Sequence, residues 1–194
     1  MPSLHPSVAA PLRDATTPRL TIRRLTAADF DDLAAMFADS GVWWFEYERA
    51  LTVAETKANL DRQTRMWSEF GLGACAVRDP TDRGLLGIVG LGVPTVAHPS
   101  LPSVTIGWRF ASAAWGHGYA TEAATALLDQ AFGPMRVPAV GCVTNANNER
   151  SVAVARRLGM EPVGEVTGLR DDGLKTVTAA VLRVERERWH GSTC

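Results

Sequence analysis

An alternating stretch, two glycines and an apolar-striped helix, in that order, set the strictest limit on how this chain can fold. In SVTIGWRF, Val104, Ile106, Trp108 and Phe110 point one way and Thr105, Gly107 and Arg109 the other, as in a half-buried strand. In AAWGHGYATEAATALLDQAFGP, Ala120, Ala123, Ala124, Leu127, Leu128 and Ala131 recur at three-and-four spacing, while Glu122, Thr125, Asp129 and Gln130 fall elsewhere. This spacing predicts a helix from about Thr121 to about Phe132, ended by Gly133 as a left-handed cap and by Pro134, which cannot continue it. The helix buries a face of small residues, which requires close packing against a sheet. The unit is a strand, a short glycine loop and a helix.

That context gives the glycines a physical task. The first turn of a helix carries unpaired N–H groups and the positive end of the dipole, so it attracts anions. Gly116 and Gly118 lack a Cβ, which frees the backbone angles and lets a phosphate approach the amides. The tripeptide G-H-G alone would serve equally as a tight connection; the strand before it and the helix behind it favour a diphosphate cradle. The chain has no G-x-x-x-x-G-K-S/T segment, which argues against a P-loop nucleotidase. GLGACA (71–76) matches a dinucleotide pattern but follows a helix-like stretch and precedes a strand-like one, the reverse of what that pattern needs, so it reads as a helix end and a turn. GIVGLG (87–92) reads as a glycine-rich strand.

The stretch W-G-H-G-Y-A-T-E-A resembles the pyrophosphate-binding motif of the GNAT superfamily of acetyl-CoA-dependent N-acetyltransferases. That pattern runs Gln or Arg, two residues, Gly, one residue, then Gly or Ala; here Trp115 takes the first position, with Gly118 and Ala120 following. Trp departs from the general pattern but is the usual form in the branch resembling bacterial ribosomal-protein N-terminal acetyltransferases (RimJ/RimL-type). TNANNERSVAVARRLGMEPVG is similar to that branch's second motif, with Asn148, Ser151, Leu158, Gly159 and Met160 in matching places. Read physically, it is a strand, an Asn-rich turn, and a helix capped by Asn148 and closed by Gly159.

The resemblance implies an α/β fold of the GNAT type, with a mixed, mostly antiparallel central sheet, a parallel splay, and helices on both faces. It implies acetyl-CoA as cosubstrate, its diphosphate on the loop Trp115, Gly116, His117, Gly118, Tyr119, Ala120 and Thr121. The pantetheine arm would run along Trp108, Phe110 and Ala111 and meet Asn148 and Ser151. The expected reaction is direct attack of a neutral amine on the thioester, with a strand N–H near Phe110 stabilising the oxyanion.

The likeness covers most of the chain. PRLTIRRLTAADFDDLAAMF corresponds to a first strand and helix, and LTVAETKANLDRQTRMW to a second helix with Thr52 and Glu55 as a capping box. ACAVRD, LLGIVGLGVP and SVTIGWRF form a strand meander, and LKTVTAAVLRVER a closing edge strand. The expected organisation is a loose N-terminal arm over 1–17, one domain over 18–188 and a tail over 189–194.

Composition agrees with one globular domain: 194 residues, 46% hydrophobic and 21% charged. A net charge of −1 without a basic run gives no nucleic-acid surface. The scattered Cys75, Cys142 and Cys194 indicate a reducing cytoplasm, no disulfide framework and, with four dispersed histidines, no metal site. The N-terminus is no signal peptide, and no apolar run reaches membrane-spanning length. The expected partners are acetyl-CoA and an amine, with a homodimer left open.

Catalytic groups are harder to read. Much of the superfamily uses a Tyr four residues before the motif glycine, where this chain has Ala155. Ser151 matches the serine that takes the acid's place in the ribosomal-protein branch; it is equally an ordinary first-turn serine. Glu46, Glu48 and His98 are candidate bases or solvated loop residues, and a water relay would also serve. In GVWWFEYERA, between two predicted helices, Trp43, Glu46, Tyr47 and Glu48 are candidates for an acceptor wall favouring a cationic amine; an aromatic cluster sealing the core is the alternative, and for Trp43 or Phe45 the favoured one. A CoA-binding regulatory or scaffold domain without turnover is the competing function.

Overall fold

Alternating apolar residues and glycine-punctuated runs assemble into an eight-stranded sheet in a computed structural model that describes residues 8–81, 84–96, 98–169 and 176–190. The strands are β1 (Ala15–Thr16), β2 (Thr21–Arg24), β3 (Gly73–Arg78), β4 (Leu85–Gly92), β5 (Thr105–Phe110), β6 (Ala139–Asn145), β7 (Glu161–Leu169) and β8 (Thr176–Glu185). Their order is β1-β2-β3-β4-β5-β6-β8-β7, antiparallel throughout except for β5 and β6. The helices are α1 (Phe30–Phe37), α2 (Ser40–Tyr47), α3 (Val53–Phe70), α4 (Tyr119–Phe132) and α5 (Glu149–Arg157).

Strand alternation divides the core into two layers. On one face Cys75, Val77, Val89, Leu91, Ile106 and Phe110 meet Ala123, Leu127, Leu128 and Ala131 of α4 and Ala155 of α5. On the other, Ala74 and Ala76 meet Leu33 and Phe37 of α1, Val42 and Trp43 of α2, and Leu60 of α3. Neighbouring residues of β3 thus face opposite layers, as a period of two demands. Full burial of a leucine such as Leu127 contributes about 1.5–3 kcal/mol.

Several elements follow the sequence reading. α3 opens with the Thr52–Glu55 capping box and ends at Gly71 in a left-handed conformation, φ +65°. α5 is capped by the Asn148 side chain, and Gly159 follows it at φ +73°. Others need correcting. Gly133 is not left-handed: it sits at φ −82°, ψ −103°, and its missing Cβ matters because one would stand 2.7 Å from the Asp129 carbonyl. The expected closing edge strand, β8, lies inside the sheet between β6 and β7. The edge is β7, whose EPVGEVTGL carries a proline, two glycines and, among its described side chains, no buried one, so its pairing with β8 and not its own pattern makes it a strand. GVWWFEYERA is largely helix α2, too short to persist alone, held through the Asp39 cap on the Gly41 amide at 2.8 Å and the Trp43 ring edge-on to Phe37. The arm expected to be loose over 1–17 is tied down from Val8 onward. The Ala9 amide bonds the Met135 carbonyl, the Leu12 amide bonds that of Gly71, Leu12 is buried, and β1 pairs with β2. At the other end Trp189 packs on Phe132 and donates to Asp129 at 2.8 Å, so the tail begins after it. Residues 1–7 and 191–194 lie outside the described residues.

A buried ion cluster locks α1 to the sheet. Asp29, fully buried, accepts from Arg23 at 2.9 and 2.5 Å, from the Thr26 amide at 2.8 Å and from Arg78 at 3.1 Å; Arg78 also reaches Asp32 at 2.6 Å. Burial by itself would raise the Asp29 pKa. The bonds from Arg23, Thr26 and Arg78 outweigh it and hold the carboxyl far below the ordinary carboxylate range. Removing one partner of such a cluster strands the rest, so Asp29→Ala should destabilise the protein by about 3–5 kcal/mol at pH 7. A depressed folded-state pKa means that the contribution is whole above the unfolded value near 3.8 and fades as pH falls below it. Urea unfolding should therefore show the gap between wild type and Asp29→Ala narrowing between pH 7 and about pH 3; a gap unchanged by acid would refute the assignment.

Candidate active site

The site begins where the sheet fails to close. β5 and β6 are paired at a single register point, Thr105 with Gly141, where the Gly141 amide bonds the Val104 carbonyl at 3.0 Å; past it the two strands separate. In an antiparallel pair, alternate residues bond the same neighbour. The Ala111 amide bonds Leu86 of β4 at 3.0 Å, so residues 107, 109 and 111 serve β4 while 106, 108 and 110 face the open side. Trp108 N–H and C=O and Phe110 N–H therefore point into the gap. The Phe110 carbonyl is already taken by the Trp115 indole at 2.8 Å. Ala111 offers the gap no backbone group: its amide goes to Leu86, and its carbonyl accepts from Ala114 at 2.9 Å.

At the end of β5 stands the glycine loop. Gly116 and Gly118 both adopt left-handed angles, φ +81° and +80°, which cost a residue with a Cβ about 1–2 kcal/mol each. Gly118 is the N-cap of α4 and supplies no side-chain cap, and the first helical bond runs from the Glu122 amide to the Gly118 carbonyl at 3.0 Å. Among the described residues, the amides of Gly116, His117, Gly118, Tyr119, Ala120 and Thr121 thus have no backbone partner. The Thr121 hydroxyl is buried there without a hydrogen bond. An uncapped helix start of this length presents free donors at the positive end of the helix dipole, the two features that favour an anion.

Two side chains hold the loop in shape. Arg19 donates to the His117 carbonyl at 3.0 Å and to Glu122 at 2.7 Å, and its guanidinium lies 5.0 Å from the Tyr119 ring centre. Glu122 would otherwise place a bare negative charge in the first turn of α4. Burial would raise its pKa, but Thr17 and Arg19 lower it on balance, and the arginine neutralises the charge. Sequence reading missed Arg19, because nothing in PRLTIRR links it to a loop about a hundred positions on. Trp115 does more than fill the motif's first position. It ties the loop to Phe110, carries the Arg150 guanidinium 4.6 Å above its ring, and stands close to Gly41 of α2. His117 is exposed and stacks on Tyr119 at 5.6 Å.

On the far arm, β6 delivers Asn145 and then Asn148 and Ser151. The Asn148 Oδ1 accepts from the Ser151 amide at 3.1 Å, leaving its Nδ2 as a donor; the half-buried Ser151 hydroxyl makes no hydrogen bond among the described residues. Asn145, also missed in the sequence, accepts from the Asn147 amide at 2.9 Å and donates to the Phe45 carbonyl of α2 at 3.3 Å.

The aromatic segment divides between core and surface. Trp43 is buried at 6% exposure against Phe37, with Arg109 stacked 3.6 Å from its ring centre, and so belongs to the core and not to an acceptor surface. Trp44, at 54%, is the exposed one. Glu48 is exposed and ends α2 in a left-handed conformation, φ 58°. Glu46 and Tyr47 have their backbone in α2, and their side chains lie outside the described residues. His98 has both ring nitrogens close to backbone. Its Nδ1 accepts from the Ser100 amide at 3.1 Å, so the neutral ring keeps its proton on Nε2, pressed against Gly164, where a Cβ would come within 2.8 Å.

Burial pushes the Cys75 thiol up to about 12, with Asp14 adding to the shift, and burial pushes Cys142 equally high, so neither supplies a thiolate nucleophile. Among the described residues no three His, Cys, Asp or Glu side chains stand together as a metal group, and no helix is long and apolar enough to cross a membrane.

Comparison with known proteins identifies this arrangement. Residues 19–161 match the acetyltransferase (GNAT) domain family. The Bacillus subtilis (strain 168) protein YkkB is 30% identical over 107 residues, 51% of this chain and 61% of YkkB. Among solved structures, a GNAT-family acetyltransferase from Bacillus anthracis superposes with a TM-score of 0.73 at 21% identity, covering 90% of this chain and 99% of that one. The ribosomal-protein-S5-alanine acetyltransferase from Vibrio fischeri gives 0.71 at 15% identity, covering 91% and 98%. The overall fold is thus a shared architecture, and the chain belongs to the acetyltransferase (GNAT) domain family.

Proposed function

We propose that this enzyme transfers the acetyl group of acetyl-CoA directly to a primary amine, either a protein N-terminus or a small-molecule amine. One observation carries the reading: the Trp108 N–H and C=O and the Phe110 N–H open toward a gap at whose end six consecutive amides, Gly116 to Thr121, are free to meet an anion. A pantetheine arm carries amides that can pair with Trp108 as an added strand would, and the diphosphate suits the loop. Asn148 Nδ2 is a donor available to the same arm. Phe110 N–H is the group to stabilise charge on the thioester oxygen as the amine attacks. Ser151 then donates or relays a proton as the thiolate departs, and water serves as base. With both described cysteines buried and protonated, the amine attacks without an acyl-cysteine step; buried free thiols also fit a cytoplasmic setting.

The acceptor side is formed by α2 and its end, where Glu48, with Glu46 and Tyr47, would favour a cationic amine. A protein N-terminus is the leading class, supported by the W-G-H-G and N-x-x-S motifs and by the name of the Vibrio fischeri fold neighbour. The direct test mixes enzyme, acetyl-CoA and a thiol reagent with N-terminal peptides, aminoglycosides and polyamines. Amine-dependent CoA release is expected; acetyl-CoA binding without release for any amine would favour the scaffold reading.

For cofactor binding, Gly118→Ala should weaken acetyl-CoA affinity by roughly 10-fold, because it strains the loop that aims the amides. His117→Ala should change affinity less than about 3-fold, since an exposed imidazole is not needed where amides bind. Calorimetry on folded variants that reverses this order would place the anion on the side chain.

For the chemical step, Ser151→Ala should lower kcat roughly 10–100-fold with acetyl-CoA affinity preserved, a weak donor falling near the low end of general-acid effects. Asn148→Ala should weaken cofactor binding too and cost about 1 kcal/mol of stability as a lost cap. A wild-type kcat for Ser151→Ala across a pH series would leave solvent as the proton donor.

A further inference from the structure

α2 is bonded to both arms of the open sheet. From β5, Arg109 donates to the Val42 carbonyl at 2.5 Å and stacks on Trp43; from the end of β6, Asn145 donates to the Phe45 carbonyl at 3.3 Å. Both residues lie beyond Thr105–Gly141, where the strands have parted. Phe45 is in the last turn of α2, so its carbonyl lacks a helical partner, and Asn145 satisfies it from a strand 100 positions away. At the start of α2 the Asp39 carboxylate is held below the usual range by a hydrogen bond from Ser112, just after β5, and by the Gly41 amide. An eight-residue helix cannot fix its own position. These bonds do so from outside it, and they hold α2 against the two strands between which the thioester is proposed to lie.

We propose that Arg109 and Asn145 are positioning residues for the acceptor: together they hold α2 across the mouth of the splay and so set the path by which the amine reaches the thioester. The proposal rests on the acetyltransferase reading given above. It makes acceptor recognition depend on two side chains bonded to the α2 backbone, while acetyl-CoA affinity stays with the backbone of β5 and α4. Small misplacements of a reactant cost large factors in rate, so a loosened α2 should be felt by the amine first.

Asn145→Asp isolates the contact. The carboxylate can still accept from the Asn147 amide but cannot donate to the Phe45 carbonyl. Arg109→Leu removes the second tether, and Arg109→Lys restores a donor and a cation over Trp43. With a hexapeptide bearing a free N-terminal alanine as acceptor, Asn145→Asp and Arg109→Leu should each raise the acceptor KM about 10-fold while the acetyl-CoA Kd stays within about 2-fold. Amide hydrogen exchange over residues 40–48 should quicken in both, and Arg109→Lys should recover part of the loss. A folded Asn145→Asp enzyme with unchanged acceptor KM and unchanged α2 exchange overturns the proposal alone. So does a parallel loss of acetyl-CoA affinity, which would mark a general structural role. A wild type inert toward this peptide and every other amine of the panel overturns the functional reading, and this proposal with it.

Discussion

The molecule depends on one missing set of hydrogen bonds. β5 and β6 meet at Thr105 and Gly141 and then part, leaving the alternate backbone groups of Trp108 and Phe110 without a strand to serve. An unpaired strand edge inside a sheet is costly if dry and an invitation to aggregation if flat and open. Here it is neither, because α2 lies against one face of the gap, α4 and α5 pack on the other, and Trp115 closes the end by capturing the Phe110 carbonyl. What remains uncovered is a short ladder of donors and acceptors that an extended amide-bearing molecule can complete.

The second constraint is electrostatic. α4 begins without a capping side chain, so its first-turn amides and dipole are undischarged. A glutamate in that turn would repel an anion were Glu122 not held by Arg19 and Thr17. Arg19 thereby acts twice, neutralising an adverse charge and pinning the His117 carbonyl so that the loop amides keep one direction. Sheet opening and helix start are coupled through Trp115, which touches β5, α5 and α2 alike, so the binding surfaces proposed for the two substrates share a single rigid corner.

Few side chains near the gap have chemistry of their own. The described thiols are buried, His98 has its Nδ1 lone pair engaged, and the tyrosine expected of much of the superfamily is Ala155, which is buried in the core. The proposed reaction, an amine attacking an already activated thioester, asks for backbone donors and placement more than for strong acids or bases.

The strand, the glycine loop, the helix behind it and the Asn148 cap were all legible in the chain, because each is set by local rules. Alternation at period two, apolar spacing at 3.6, glycine at left-handed angles and asparagine at a helix start act within a few residues. Even the family could be read that way, since its two motifs are compact. What the chain could not show was everything joined across distance. The described side chains of β7 are almost all exposed, and the segment becomes a strand only by pairing with β8; α2 is too short to stand alone and is held by contacts from other segments; Trp43 reads as either wall or core until Phe37 and Arg109 enclose it; Arg19 looks like any surface cation until the fold carries it to Glu122. Local propensity is a property of neighbours in the chain. The opening of the sheet, and which side chains brace it, depends on contacts between segments up to about a hundred residues apart, and these exist only once the chain has folded.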